Sequence, residues 1–129
     1  MGCGSSKPSR YYLLSELNNQ AEKSSLKAQA NIGIGPLRFP EYLQRPQIGF
    51  FMNENQLRYA EYDRWAEPLD QNFMRVLTEN LSQLMDLNNI YMYPFIGAPH
   101  IEYQIIMDIR KFEMDEKLLR YKNMWKQQP

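Results

Sequence analysis

Few residues in this chain have side chains suited to chemistry. It has 129 residues, with one cysteine and one histidine, Cys3 and His100. A structural zinc site draws its ligands from several such residues, and a thiol–imidazole pair would need both of these in one site, so neither is expected. His100 follows Ala98-Pro99 with no acidic pair at ligand spacing and reads as a surface histidine. Glu61, Asp63 and Glu67 offer paired carboxylates of the kind used in general acid–base hydrolysis. Arg58 and Arg64 are interleaved with them, so the pattern reads as a solvated network of ion pairs. Ile32-Gly33-Ile34-Gly35-Pro36 has two glycines of a dinucleotide fingerprint, but it lacks the third, and proline follows where a helix should start. A strand bulge accounts for it. No Gly-x-Ser-x-Gly, phosphate loop or metal-binding pair is present. The residues therefore predict neither an enzyme nor a cofactor or metal, and a small enzyme is the weakest of three functional classes.

What remains is a chain built for contact. Fifteen Lys+Arg balance fifteen Asp+Glu, and a neutral surface argues against nucleic acid as the main partner. No stretch approaches the roughly 18–20 apolar residues that cross a bilayer. Nine Tyr outnumber six Phe, which suits half-buried strands and contact surfaces. The eight Met serve as adaptable core filler or as an adaptable binding surface. Residues 1–10 are rich in Gly, Ser, Lys and Pro and read as a flexible leader; 11–129 read as a single domain.

The elements that would position any site follow from pattern. Tyr11 to Leu14 is a first short strand, and Ser15 to Gln29 a solvated loop. Ala30 to Phe39 is an edge or bulged strand, because Pro36 interrupts it. Pro40 and Pro46 bracket a short turn. Gln47 to Met52 and Gln56 to Tyr59 form a hairpin around Asn53-Glu54-Asn55. Pro68 opens a helix of about 17–20 residues, whose stripe is Phe73, Val76, Leu77, Leu81, Leu84 and Met85. Asn88-Asn89 ends it. Ile90 to Tyr93 is a short strand. His100 to Phe112 alternates, with Ile101, Tyr103, Ile105, Met107 and Ile109 expected to face the helix stripe. Met114-Asp115-Glu116 turns the chain, and Leu118 to Trp125 pairs back as a further strand. The class is α+β: a twisted, mostly antiparallel or mixed sheet with one long helix packed on one face.

Two strings, Phe39 to Ile48 (FPEYLQRPQI) and Leu57 to Leu69 (LRYAEYDRWAEPL), resemble the ABC-type transport auxiliary lipoprotein family. The opening Gly2-Cys3-Gly4-Ser5-Ser6 and the run Arg10 to Leu14 are similar to the start of a mature member, and the resemblance extends to about Trp125. It implies a non-catalytic bacterial lipoprotein at the periplasmic face of the outer membrane. Such a protein is an auxiliary, scaffolding component of an MCE-type (mammalian cell entry) lipid transport system, and its partner is an MCE-domain protein. Cys3 would carry the lipid, and Gly4 behind it, in place of Asp, points to outer-membrane sorting. Family members carry a signal peptide ahead of this cysteine and continue past Trp125 with more strand and a helix. The expectation is a domain lacking the family's C-terminal part. Met1 to Lys7 also fits an N-myristoylation pattern, with Cys3 open to palmitate, which would make the chain a cytosolic adaptor instead.

Within the two strings, Tyr42, Leu43 and Arg45 on the turn, and Glu61, Asp63 and Arg64 before the helix, are candidates to face a partner. Equally, Arg45 and Arg64 could pair with Glu61 and Asp63 and hold the turn to the helix. An exposed sheet edge would allow a homo-oligomer. The anchor itself is directly testable. Expressed behind a lipoprotein signal, the parent should fractionate with membranes and Cys3→Ser should be released; a variant that stays bound as firmly as the parent refutes Cys3 as the anchor.

Overall fold

The computed structural model describes residues 4–18, 29–85 and 88–113. Cys3, the turn at Met114 and the expected strand Leu118 to Trp125 lie outside them. The described strands form two three-stranded sheets. The first contains β1 (Arg10–Tyr12), β3 (Gln47–Asn53) and β4 (Gln56–Trp65), in the order β1-β4-β3. The second contains β2 (Ile32–Arg38), β5 (Ile90–Met92) and β6 (Tyr103–Asp108), in the order β5-β2-β6. A single-turn 3-10 helix (Glu41–Leu43) joins β2 to β3, and the helix α1 (Leu69–Met85) joins β4 to β5. The fold is α+β: among the described residues the first sheet is mixed, the second is parallel, and one α-helix packs against them.

Each element has a local cause, and some bounds shift for a physical reason. The hairpin closes through Glu54-Asn55 alone, because Asn53 joins β3 and pairs with Gln56. Asn53 Oδ1 then accepts the Asn55 N–H at 3.0 Å, a side chain standing in for a turn's backbone bond. β4 runs on past Tyr59 to Trp65, since Asp63 to Trp65 pair in parallel with Arg10 to Tyr12. Pro68 stands just before α1, and its carbonyl takes the first helical bond from Asn72 at 3.1 Å. α1 spans 17 residues, against the expected 17–20, and carries the stripe of spacing three and four.

β2 is central rather than an edge. Pro36 is tolerated there because the register with β6 breaks between Ile34 and Leu37, so its missing N–H interrupts no regular ladder. Both neighbours of β2 run parallel to it, and β1 runs parallel to β4, so among the described pairings only β3–β4 is antiparallel. Parallel neighbours require long connections that return the chain to the starting edge. Residues 93–102 make one such return, passing over β2 at Gly33. A Cβ on Gly33 would lie 2.6 Å from Phe95 Cζ and 2.9 Å from Ile101 Cγ2. Gly35, at φ +103°, brings β2 within reach of the helix, where a Cβ would lie 2.9 Å from Met74 Cε.

One packing expectation is corrected. α1 lies against β2 and β5, not along the alternating face of β6. β5 and β6 flank β2 on opposite sides, so a helix seated over β5 leaves β6 outside, and Tyr103 and Ile106 are exposed. The core is Ile34, Leu43, Ile48 and Leu69. Aromatic rings join the two sheets: Phe73 meets Phe39 at 5.5 Å and Phe112 at 6.1 Å, and Phe112 meets Trp65 at 6.4 Å. Ile34→Ala should therefore lower stability by about 2–5 kcal/mol, whereas Ile106→Ala should stay within about 0.5 kcal/mol of the parent. Urea midpoints of the two variants check both.

Candidate functional site

The two strings converge on one place. Pro40 is extended, at φ −62° and ψ 148°, and its carbonyl accepts the Leu43 N–H at 3.0 Å to wind the short helical turn. Pro46 closes the turn, and its carbonyl accepts the Trp65 N–H at 2.7 Å. Tyr59 donates its hydroxyl to the Tyr42 carbonyl at 2.9 Å, and the Tyr42 ring meets Phe51 edge-on at 5.6 Å. A turn from one string is thus fastened to a strand from the other. Between them lies an open cleft of about 480 Å³, walled by Leu43, Arg45 and Pro46 on one side and by Trp65, Glu67 and Leu69 on the other. The Arg45 guanidinium sits 5.1 Å above the Tyr59 ring, a cation–π contact that holds an exposed arginine at the rim.

The structure divides the expected surface residues. Arg45 and Glu61 are exposed. Leu43 and Asp63, expected to face outward, are 5% and 8% exposed. The helical turn directs Leu43 into the core, and the register of β4 places Asp63 opposite Arg10. Tyr42 and Arg64 are half-buried. The Tyr42 hydroxyl and Arg64 Nε are enclosed without a hydrogen-bond partner among the described residues.

The alternative in which Arg45 and Arg64 pair with Glu61 and Asp63 gives way to another arrangement. Arg10 donates to both carboxylate oxygens of Asp63, Nε to Oδ1 at 2.7 Å and Nη2 to Oδ2 at 3.1 Å. Tyr12 adds its hydroxyl to Oδ1 at 3.3 Å. Glu67 pairs with Arg75 on the helix. Burial, then the Asp63 carboxylate, raise the Tyr12 hydroxyl above its ordinary pKa. A phenol whose folded value exceeds its unfolded value favours folding below about pH 10 and loses that contribution as pH climbs through the folded value. The neighbouring Glu61 carboxylate, more than desolvation, raises Tyr62 likewise.

Arg10 and Asn72 were not marked by the sequence as structural residues. Asn72 is 1% exposed, and its amide exchanges two bonds with the backbone of Leu14: the Leu14 N–H donates to Oδ1 at 2.7 Å, and Nδ2 donates to the Leu14 carbonyl at 3.2 Å. An asparagine breaking the apolar side of a helix was the one signal available. A second groove of about 450 Å³ opens on the far side of the first helical turn, between Leu37, Met74, Met92 and Tyr93. Among the described residues no three His, Cys, Asp or Glu cluster as a metal site would require, and no helix is long and apolar enough to cross a membrane.

Residues 12–126 match the family model of the ABC-type transport auxiliary lipoprotein component. Among solved structures, a Xanthomonas campestris protein of family DUF330 is 14% identical, with a TM-score of 0.64 over 83% of this chain and 58% of that one. A second, described as an uncharacterized protein, is 19% identical, with a TM-score of 0.58 over 86% of this chain and 63% of its own. At such identities these two share the fold. The chain spans less than two thirds of either. No curated protein matches it significantly.

Asp63→Asn should weaken the grip of Arg10. Arg10 keeps 36% of its side chain in solvent, so the expected loss is at the low end for a charged hydrogen bond, about 1–2 kcal/mol. Chemical denaturation of the variant beside the parent measures it, and an unchanged midpoint would remove Asp63 from the account of the fold.

Proposed function

The chain belongs to the ABC-type transport auxiliary lipoprotein family, and from that premise we propose that it is a non-catalytic scaffold of a transport system, docking its partner in the cleft between the two strings. The system is of the MCE type and moves lipid, and the partner is its MCE-domain protein. A lipid on Cys3 holds the domain to the periplasmic face of the outer membrane. The observation that carries this reading is the cleft itself. The strings that bear the family resemblance build its two walls, and an exposed arginine is seated at its rim on Tyr59.

Physical chemistry supports the cleft as a docking place. A turn bracketed by Pro40 and Pro46 and fastened by Tyr59 has little conformational entropy left to lose on binding. Arginine and tyrosine are the side chains that most often anchor interfaces, and here they are already stacked. Trp65 and Leu69 give the cleft apolar lining, while Asp70 brings a charge opposite to that of Arg45 to the same cleft. Of the six candidates, Arg45 and Glu61 keep a partner-facing role in this proposal. Tyr42 and Arg64 contribute through their half-buried bodies, and Leu43 and Asp63 act by holding the walls. The exposed Tyr103 and Ile106 on β6, an edge strand among the described residues, support a homo-oligomer as a further state of the same scaffold.

The test is Arg45→Glu, made in a full-length family context. Melting should match the parent, because the side chain is exposed, while co-purification with the MCE-domain protein should fall by about tenfold or more. A variant that folds and still binds normally removes this cleft as the interface; one that unfolds shows Arg45 to be structural.

A further inference from the structure

We propose that residues 11–17 form a built face that rests on a phospholipid surface, so that the domain lies against the bilayer rather than hanging from a tether. This deepens the reading of an anchored lipoprotein and rests on it. Along this segment Tyr12 and Leu14 turn inward, whereas Tyr11, Leu13 and Leu17 are 66%, 56% and 58% exposed. A strand at the edge of a soluble domain ordinarily carries polar or charged side chains on its wet side. Here that side carries tyrosine and leucine.

The exposure is held in place. The Tyr12 carbonyl accepts the Ala66 N–H at 2.9 Å, extending the β1–β4 ladder. Asn72 clasps the backbone of Leu14, and Asn80, two helical turns on, accepts the Leu17 N–H at 2.9 Å. The strap therefore runs along α1 with its backbone fixed at both ends, and its outward side chains gain burial without a further loss of backbone entropy. Leu84, one turn beyond Asn80, continues the exposed apolar surface along the helix. Lys7 stands exposed just ahead of the strap, and the only carboxylate on it, Glu16, lies in the field of Arg75.

The occupant follows from the position in the chain. Tyr11 is eight positions after Cys3, so a lipid there holds the strap within about 26 Å of the bilayer. At that tether length surface contact is intramolecular, with an effective concentration of roughly millimolar, and a few apolar side chains suffice. Tyrosine prefers the headgroup level and leucine the acyl boundary.

The experiment attaches a single acyl chain through a maleimide to Cys3, the only thiol in the chain, and sediments the full chain with vesicles of phosphatidylethanolamine and phosphatidylglycerol. One acyl chain gives marginal, reversible binding, so an added surface contact is measurable. The double variant Leu13→Asn with Leu17→Asn should partition about tenfold less than the parent. Ile96→Asn, 90% exposed in the segment after β5 and assigned to no interface, should partition as the parent does. The double variant should melt like the parent; should it not, Leu17→Asn alone carries the test, with about a threefold loss expected. Partition of the strap variant within about twofold of the parent, or an equal loss for Ile96→Asn, overturns the proposal. So does a changed oligomeric state with unchanged partition, which would make the strap a protein interface. Because the acyl chain is attached chemically, this result stands whether or not cells acylate Cys3.

Discussion

One buried amide organises the way this chain is put together. Asn72, in the first turn of α1, presents an acceptor and a donor to the backbone of Leu14 and so behaves as one more residue of a neighbouring strand. β1 ends at Tyr12, and among the described residues no strand lies beside Leu14 to receive its N–H and carbonyl. A buried amide without partners costs roughly 1–3 kcal/mol for each group left unpaired. Both the helix and the strap need this contact, and it fixes their relative position. The helix start is one end of the cleft wall that Trp65, Glu67 and Leu69 form, so the shape of the cleft depends on a residue that does not line it.

The seam between the two sheets carries the second constraint. The first sheet contributes Trp65, the residue after β2 is Phe39, the helix contributes Phe73, and the segment after β6 contributes Phe112. Edge-on and tilted rings at these separations add directional preference to apolar burial, which resists sliding of one sheet over the other. The glycines of β2 complete the fit by letting the return segment and the helix approach more closely than a side chain would allow. A cleft placed beside such a seam has rigid walls.

Charge is arranged around the same geometry. Arg10 and Tyr12 converge on Asp63, so the carboxylate that points inward is met by groups from the parallel neighbour strand and not by Arg64 beside it in sequence. Glu67 is held by Arg75 on the helix. Arg45 therefore stays at the rim, stacked on Tyr59 and exposed. The proposed scaffold role asks for an attachment end and a docking end on one stiff body. Here β1 leads from the N-terminal end directly into the sheet whose hairpin supports the turn.

Much of this was legible in the sequence because it depends on near neighbours. The helix follows from apolar residues three and four apart, the turn from prolines that exclude helix on either side, and the hairpin from two strand-like runs around Asn-rich residues. The α+β class and the absence of a catalytic motif among the residues follow from the same local reading. The tertiary structure alone decided what depends on a distant partner. Asp63 is inward because Arg10, 53 positions away, lies opposite it, and Asn72 is structural because it bonds the backbone of Leu14, 58 positions away. β2 is central and β6 uncovered because the connections run parallel, an order no local period encodes. Periodicity reports which side of an element is apolar; which neighbour covers that side is set by long-range packing, and so Leu43 faces the core while Tyr11 and Leu13 face out.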